Sequence, residues 1–273
     1  MNPSVKQARA GLTLVALIGL AITTGPASAQ DSADELAKKL SNPVASLISI
    51  PLQYNADFGY GSEDGTRHTL NIQPVIPASI SEDWNLISRI IVPVIYQDDI
   101  AGKSGSQFGL GDINPTFFFS PKQPTKGGIT WGVGPVFLLP TASDDLLGPD
   151  QWGAGPSVLV LTETHGWTIG VLANHIWSVA GSSNDPDISN TFLQPFFAKH
   201  LPGGRTLTFN AESTYDWENQ QWTVPINVTY SKVTRVGSQM MSFAGGVRGY
   251  ADAPTGGPDW GLRFVVTFLV PPK

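Results

Sequence analysis

Four histidines, 22 acidic residues and no cysteine bound the chemistry open to this 273-residue chain. Without cysteine there is no thiol nucleophile, thiolate zinc site, iron–sulfur cluster or disulfide. His68, His165, His175 and His200 lie too far apart in sequence to suggest a shared metal site. The stretch Asn174-His175-Ile176-Trp177-Ser178 has the residue types of an acyl-transfer centre, which needs its base and nucleophile within hydrogen-bond reach. On a strand, however, His175 and Ser178 have opposite parity and point to opposite faces. Gly109-Leu110-Gly111 and Gly132-Val133-Gly134 lack the helix that follows the turn in a dinucleotide site, so they read as bends. No catalytic residue, metal ligand or cofactor is expected, and the chain is not read as an enzyme.

Five charged residues point to a different chemistry: Arg67, Arg89, Glu212, Arg248 and Arg263. Each lies in a segment that alternates apolar and polar residues, on the parity opposite to the apolar ones. Between Trp260 and Val270, for example, Trp260, Leu262, Phe264, Val266, Phe268 and Val270 share one parity, while Gly261, Arg263 and Thr267 share the other. A strand with such a sequence has one apolar and one polar face. Repeated around a closed sheet with the apolar face outward, the pattern describes a membrane-spanning barrel whose charged residues point into the lumen. At mid-depth a charge facing lipid costs roughly 2–4 kcal/mol, so this sorting is what a membrane strand requires. The five residues are expected to form a basic constriction, partly neutralised by Glu212, beneath an acidic vestibule, since charged rings set pore selectivity. A network of salt bridges that merely fills a narrow barrel would use the same residues.

Twelve strands can be placed to position them: 46–56, 67–76, 84–96, 113–119, 129–140, 152–161, 167–177, 191–200, 205–215, 222–230, 240–250 and 260–270. The fold class is all-β, a transmembrane antiparallel up-and-down β-barrel. With 29 glycines, 22 prolines and a mean hydropathy of −0.01, the composition favours turns over long apolar helices. It also hides a barrel, in which only every second residue must be apolar. Phe117-Phe118-Phe119 gives no parity, and the strand from Phe192 to His200 could face either way. Pro51, Pro74, Pro93, Pro135, Pro195 and Pro225 fall within proposed strands, where each removes a ladder donor.

An even strand number puts both barrel termini on one side, the periplasmic side in bacterial barrels, and the connections after odd-numbered strands on the other. Those outer connections are the longer set. They or their edges hold Asp57, Glu63, Asp64, Asp98, Asp99, Asp112, Asp144, Asp145, Asp150, Asp185, Asp187, Asp216, Glu218, Asp252 and Asp259, opposed only by Lys103. Divalent cations bridging these loops to anionic lipid are one expected partner. Trp84, Trp152, Trp167, Trp177, Trp217, Trp222 and Trp260 stand at or just beyond strand ends, as in an aromatic belt at the lipid–water interface, and Trp131 lies near one.

The chain opens with Lys6 and Arg9, an apolar stretch from Ala10 to Ile22, and Ala27-Ser28-Ala29, the pattern of a cleaved secretory signal peptide over residues 1–29. Residues 30–43 are expected to hold a short helix, Asp31 to Leu40, with Ser32 as N-cap. This helix is either a periplasmic extension, the favoured reading, or a plug in the barrel mouth. Residues 44–273 would form the barrel. The formal charge of −6 argues against nucleic acid as a partner.

The run from Glu35 to Gln53 (Glu-Leu-Ala-Lys-Lys-Leu-Ser-Asn-Pro-Val-Ala-Ser-Leu-Ile-Ser-Ile-Pro-Leu-Gln), with Gly109-Leu110-Gly111-Asp112-Ile113 and Gly132-Val133-Gly134-Pro135, resembles the outer-membrane transporter family linked to the meta pathway of phenol degradation. The resemblance spans essentially the whole chain after the leader. It implies a barrel engaged in uptake of small, often aromatic, compounds and supplies no catalytic motif. One departure is the end: Phe268 is followed by Leu269-Val270-Pro271-Pro272-Lys273, whereas such barrels commonly end on an aromatic residue. The function expected is a passive outer-membrane channel or transporter for small molecules, aromatic or anionic, embedded in outer-membrane lipid. A surface-interaction barrel with a closed lumen and a soluble secreted β-sandwich are the alternatives.

Overall fold

A computed structural model describes residues 27–181 and 186–270. The expected leader lies outside these residues up to position 26, as do Asp185 and the tail after Val270. Among the described residues the strands form one sheet closed on itself, every neighbouring pair antiparallel. The soluble sandwich, which needs two sheets face to face, is thereby excluded.

The sheet has twelve staves, three of them broken. In chain order they are β1 (Ile48–Tyr60), then β2 (Gly65–Ile72) continued by β3 (Val75–Ser79), then β4 (Trp84–Asp98), then β5 (Ser106–Leu110) continued by β6 (Asn114–Pro121). β7 (Ile129–Leu138), β8 (Gln151–Thr164), β9 (Trp167–Gly181) and β10 (Ser189–Leu201) follow. The last four are β11 (Arg205–Ala211) continued by β12 (Ser213–Asp216), β13 (Gln221–Val236), β14 (Gln239–Asp252) and β15 (Trp260–Val270). Closure comes from β1 on β15, in register from Ile48 opposite Val270 to Phe58 opposite Trp260. The 15-residue β9, at about 3.3 Å per residue and a tilt of about 45°, rises about 35 Å, enough for a hydrocarbon core of about 30 Å. Among the described residues no helix is long and apolar enough to cross a bilayer.

Several breaks and one bulge fall where proline removes a donor, while two other bulges lie at Gly59 and between Trp152 and Gly153. Pro74 separates β2 from β3, and Pro225 sits at a bulge in β13, where its carbonyl accepts from Glu212 N–H in the gap between β11 and β12. Pro93 in β4 faces the gap between β5 and β6, its carbonyl accepting from Gly111 N–H. A ladder missing a donor re-registers more cheaply than an intact one, so the staves bend there. The ambiguous segments resolve by burial. Phe118 is fully buried and points inward between outward Phe117 and Phe119, and Phe196 and Ala198 point inward while Leu193 and Phe197 are exposed. Most strands run longer than the sequence pattern suggests, β13 reaching Val236 and β1 reaching Tyr60, whereas β15 matches its expected 260–270.

The end carrying the start of β1 and the end of β15 is here called the lower end. Its turns are tight: His165 and Gly166, between β8 and β9, both take positive φ, as the turn of a two-residue hairpin demands. Upper connections are longer, reaching residues 139–150.

A helix, α1 (Ala27–Leu40), closes the lower end. It runs through Ser32, so that residue is not its N-cap, and it packs against the inner wall rather than extending away. Ala33 and Ala37 are buried with Leu47 against the inward-facing Val233, Met240 and Leu269. The Asp34 carboxylate accepts a hydrogen bond from Gly204 N–H in the turn between β10 and β11. The chain then crosses the lumen, where Val44 joins Ile87, Phe118, Leu159, Leu161, Leu172 and Phe196 in a second apolar cluster. The lower lumen is therefore filled, with buried polar groups such as Asn85, Ser120, Thr168 and Thr206 beside the apolar clusters.

Lipid-facing and lumen-facing positions alternate cleanly in β15, where Phe264 is 52% exposed and Arg263 beside it 3%. Replacing Phe264 with arginine is expected to destabilise the barrel by about 2–4 kcal/mol in urea unfolding from phospholipid bilayers. Unchanged stability would mean that this face does not contact hydrocarbon.

Candidate lumen site

The inward parity of the strands places a polar chamber above the apolar plug. Its strongest interaction joins β15 to the break between β11 and β12: the Arg263 Nη1 and Nη2 groups donate to Glu212 Oε1 and Oε2, each at 2.7 Å, and Arg263 Nε donates to Asn55 Oδ1 at 2.8 Å. Three of the five donors of this buried guanidinium are thus matched, two of them in fork geometry on one carboxylate. Next to it, Arg248 lies 3.4 Å from Asp57, both side chains under 10% exposed, with its guanidinium 5.6 Å from the Tyr250 ring centroid. Arg67 donates from Nε to Gln97 Oε1 at 2.8 Å and lies 5.5 Å from the Tyr60 ring centroid. Arg89 stands apart, deeper in the barrel, and donates from Nη2 to Gln73 Oε1 at 3.1 Å.

All five charged residues expected in the lumen line it, but as two ion pairs and two separate arginines rather than as one ring. Asp57, expected among the outer-loop acids, is a correction: it lies in β1 facing inward, 5% exposed, as the partner of Arg248. Sequence parity could have found it, because Gln53, Asn55 and Asp57 alternate with Leu52, Tyr54 and Ala56. Gln73, Gln97, Tyr60 and Tyr250 gave no such signal, since glutamine and tyrosine serve equally on either face near a strand end.

Two cavities occupy the chamber. The upper one, about 520 Å³, is lined by Asp57, Tyr60, Arg67, Arg248 and Tyr250 and roofed by residues 254–258. The central one, about 480 Å³, is lined by Arg89, Glu212 and Arg263, a set of asparagines and glutamines, and several apolar side chains. They share Gln53, Asn71 and Glu212, so they lie against each other. The charged residues lining them are four arginines against two carboxylates.

Many loop acids are engaged in turn chemistry. Asp112 accepts from the N–H groups of Thr141 and Ala142, Asp144 from Leu146, Asp99 from Gly105, and Asp216 from Glu218 and Asn219. Among the described residues no group of three His, Asp or Glu side chains is placed to hold a metal ion. His175 Nδ1 is 2.7 Å from Thr191 Oγ1, and its ring lies 4.0 Å from that of exposed Trp177. Ser178 instead bonds Asp187, away from the histidine.

The tryptophans form two girdles on the outer face. Trp84, Trp131 and Trp167 lie at the lower end, the first two in edge contact at 5.7 Å and the third beneath Lys199 at 4.9 Å. Trp152, Trp177, Trp217, Trp222 and Trp260 lie at the upper end, all exposed. A structural comparison aligns the chain with an outer membrane channel from Pseudomonas putida F1 at a TM-score of 0.63 and 15% identity, covering 82% of this chain and 96% of that one.

The fold is that of an outer-membrane β-barrel.

The NanC porin (TM-score 0.49, 9% identity, 81% and 98% covered) and outer membrane phospholipase A from Escherichia coli (0.47, 11%, 88% and 98%) align more loosely. No protein-family model and no curated protein matches the sequence.

Glu212→Gln leaves Arg263 buried without a counter-charge. It is expected to cost about 3 kcal/mol in unfolding stability, and the double variant Glu212→Gln with Arg263→Gln less than that. Equal stability of wild type and Glu212→Gln would show that the pair does not hold the barrel wall together.

Proposed function

We propose that this protein is a passive outer-membrane channel or transporter for small molecules, exported with a cleaved signal peptide, gated at its periplasmic end, and without covalent chemistry. The observation that carries the reading is the pair of adjacent cavities stacked between the upper mouth and the plug. A barrel needed only as a scaffold has no use for a hollow, polar chamber of this volume. Its charged residues suit a solute path: Arg248 and Arg263 are neutralised by carboxylates, so the positive potential felt by a solute comes from Arg67 and Arg89. The uptake role implied by the resemblance to the phenol-linked transporter family is compatible with this chamber.

The filled lower lumen favours a second reading, a closed barrel working through its outer loops. The two separate on whether the plug moves. In the channel reading α1 and residues 42–47 are a stopper held by small apolar contacts at Ala37 and Val44. Displacing them must open the pore.

Liposome swelling and planar-bilayer recording test this. The wild-type protein is expected to admit small solutes slowly, and Ala37→Glu or Val44→Asp to raise solute flux and conductance about tenfold by making the plug costly to bury. Absence of flux in the wild type and in both variants, with the barrel folded, would leave the closed-barrel reading.

A further inference from the structure

The central cavity holds a cation, Arg89, that no carboxylate among the described residues contacts. Arg263 and Arg248 each face a carboxylate, but Arg89 has only the neutral Gln73 oxygen. No carboxylate lies within salt-bridge distance of Arg89 among the described residues. A guanidinium presents five donors in a planar fork, and a single 3.1 Å bond to an amide engages one of them. Its position is informative. Arg89 is the next inward residue of β4 after Ile87, a fully buried member of the apolar cluster, so it stands on the chamber floor where the filled lower lumen gives way to the cavity. A cation placed against a low-dielectric wall attracts an anion more strongly than one in open water.

A second unanswered group lines the same cavity. The side-chain oxygen of Asn190 is buried and has no hydrogen-bond partner. Buried polar groups normally have partners, and this acceptor in the cavity wall is open to a water or to a donor group on an occupant, not to a carboxylate itself. The remaining wall is not uniformly polar: Ile91, Leu138, Ile176, Ile188, Phe192 and Val265 also line the cavity. Its volume of about 480 Å³ lies in the range of small-molecule sites.

We propose that the central cavity is a binding site for a small monocarboxylate with an apolar body, its carboxylate on Arg89 and its aromatic or short aliphatic portion against the Ile91–Leu138–Ile176–Phe192 wall. One unpaired cation selects a single negative charge, and the planar fork matches a planar carboxylate. Glu212, held by Arg263, lines the same cavity and disfavours dianions. The proposal deepens the channel reading by naming the solute class, which would pause at the floor of the chamber before the plug yields.

Calorimetry with the full barrel in lipid nanodiscs tests it, with phenylacetate and its uncharged counterpart phenylacetamide as probes. The wild-type protein is expected to bind phenylacetate about tenfold more tightly than the amide. Arg89→Gln should abolish that preference while keeping the heat-resistant compact form on gels, and Arg89→Lys should keep part of it. Equal affinity of the two probes for the wild type, a carboxylate preference surviving in Arg89→Gln, or no phenylacetate binding would each overturn the proposal. Solute flux in liposomes, measured on the same preparations, separates this from the channel reading. Arg89-dependent binding without flux supports the site and sinks the channel, whereas flux without Arg89-dependent binding does the reverse.

Discussion

Hydrogen-bond closure between β1 and β15 is the constraint on which the rest of this molecule depends. In hydrocarbon an unpaired backbone N–H or C=O costs several kcal/mol, so a sheet can span only if it has no edge. The ladder from Ile48–Val270 to Phe58–Trp260 removes the last edge. Once the sheet is closed, each strand has one face toward the outside and one toward the lumen, and the alternation in the sequence becomes a partition between two solvents. Some prolines are tolerated in this scheme because the ladder bends or breaks around them. Pro74, Pro93 and Pro225 sit where a stave is interrupted, faces an interruption or bulges.

The lumen is itself divided. Below Arg89 it is filled: Ile87, Phe118, Leu159 and Leu172 pack with Val44, α1 packs against Val233, Met240 and Leu269 at the lower end, and a few buried polar groups lie among them. Above Arg89 it is polar and partly empty. The charges follow that division: Glu212 and Asp57 neutralise two arginines in the upper wall and stitch together staves distant in sequence, β15 to the β11–β12 break and β14 to β1. A buried pair of this kind fixes register more than it adds stability, since desolvation offsets much of its attraction. Arg89 has no such partner, which makes it the chemically open point of the chamber.

Much of this was legible in the sequence. Strand β15 was readable to the residue because its alternation is unbroken from Trp260 to Val270. The inward sorting of Arg67, Arg89, Glu212, Arg248 and Arg263 followed from parity alone, since a charged side chain on the wrong face is so costly. The pairings were not legible. Arg263 meets Glu212 only because closure brings β15 within reach of the β11–β12 stave across the lumen, a relation no local pattern encodes. Asp57 was misplaced because an acid at the top of a strand looks like an acid in the loop above it. The short α1 helix carries the same residues whether it hangs free or plugs the lumen. Its alanines at 33 and 37 became meaningful only against Val233, Met240 and Leu269. Strand ends were underestimated because polar residues such as Lys232 and Arg235 continue the ladder below the apolar band.

The partition between lipid and lumen is the claim that everything else inherits, and it can be measured directly. NMR cross-relaxation from lipid acyl-chain protons to assigned side chains, with the barrel in bilayer nanodiscs, should reach Ile50, Val247, Phe264 and Phe268 and spare Val265, Thr267 and Leu269. Equal transfer to both sets, or transfer to neither, would contradict a barrel whose exposed apolar parity lies in the membrane.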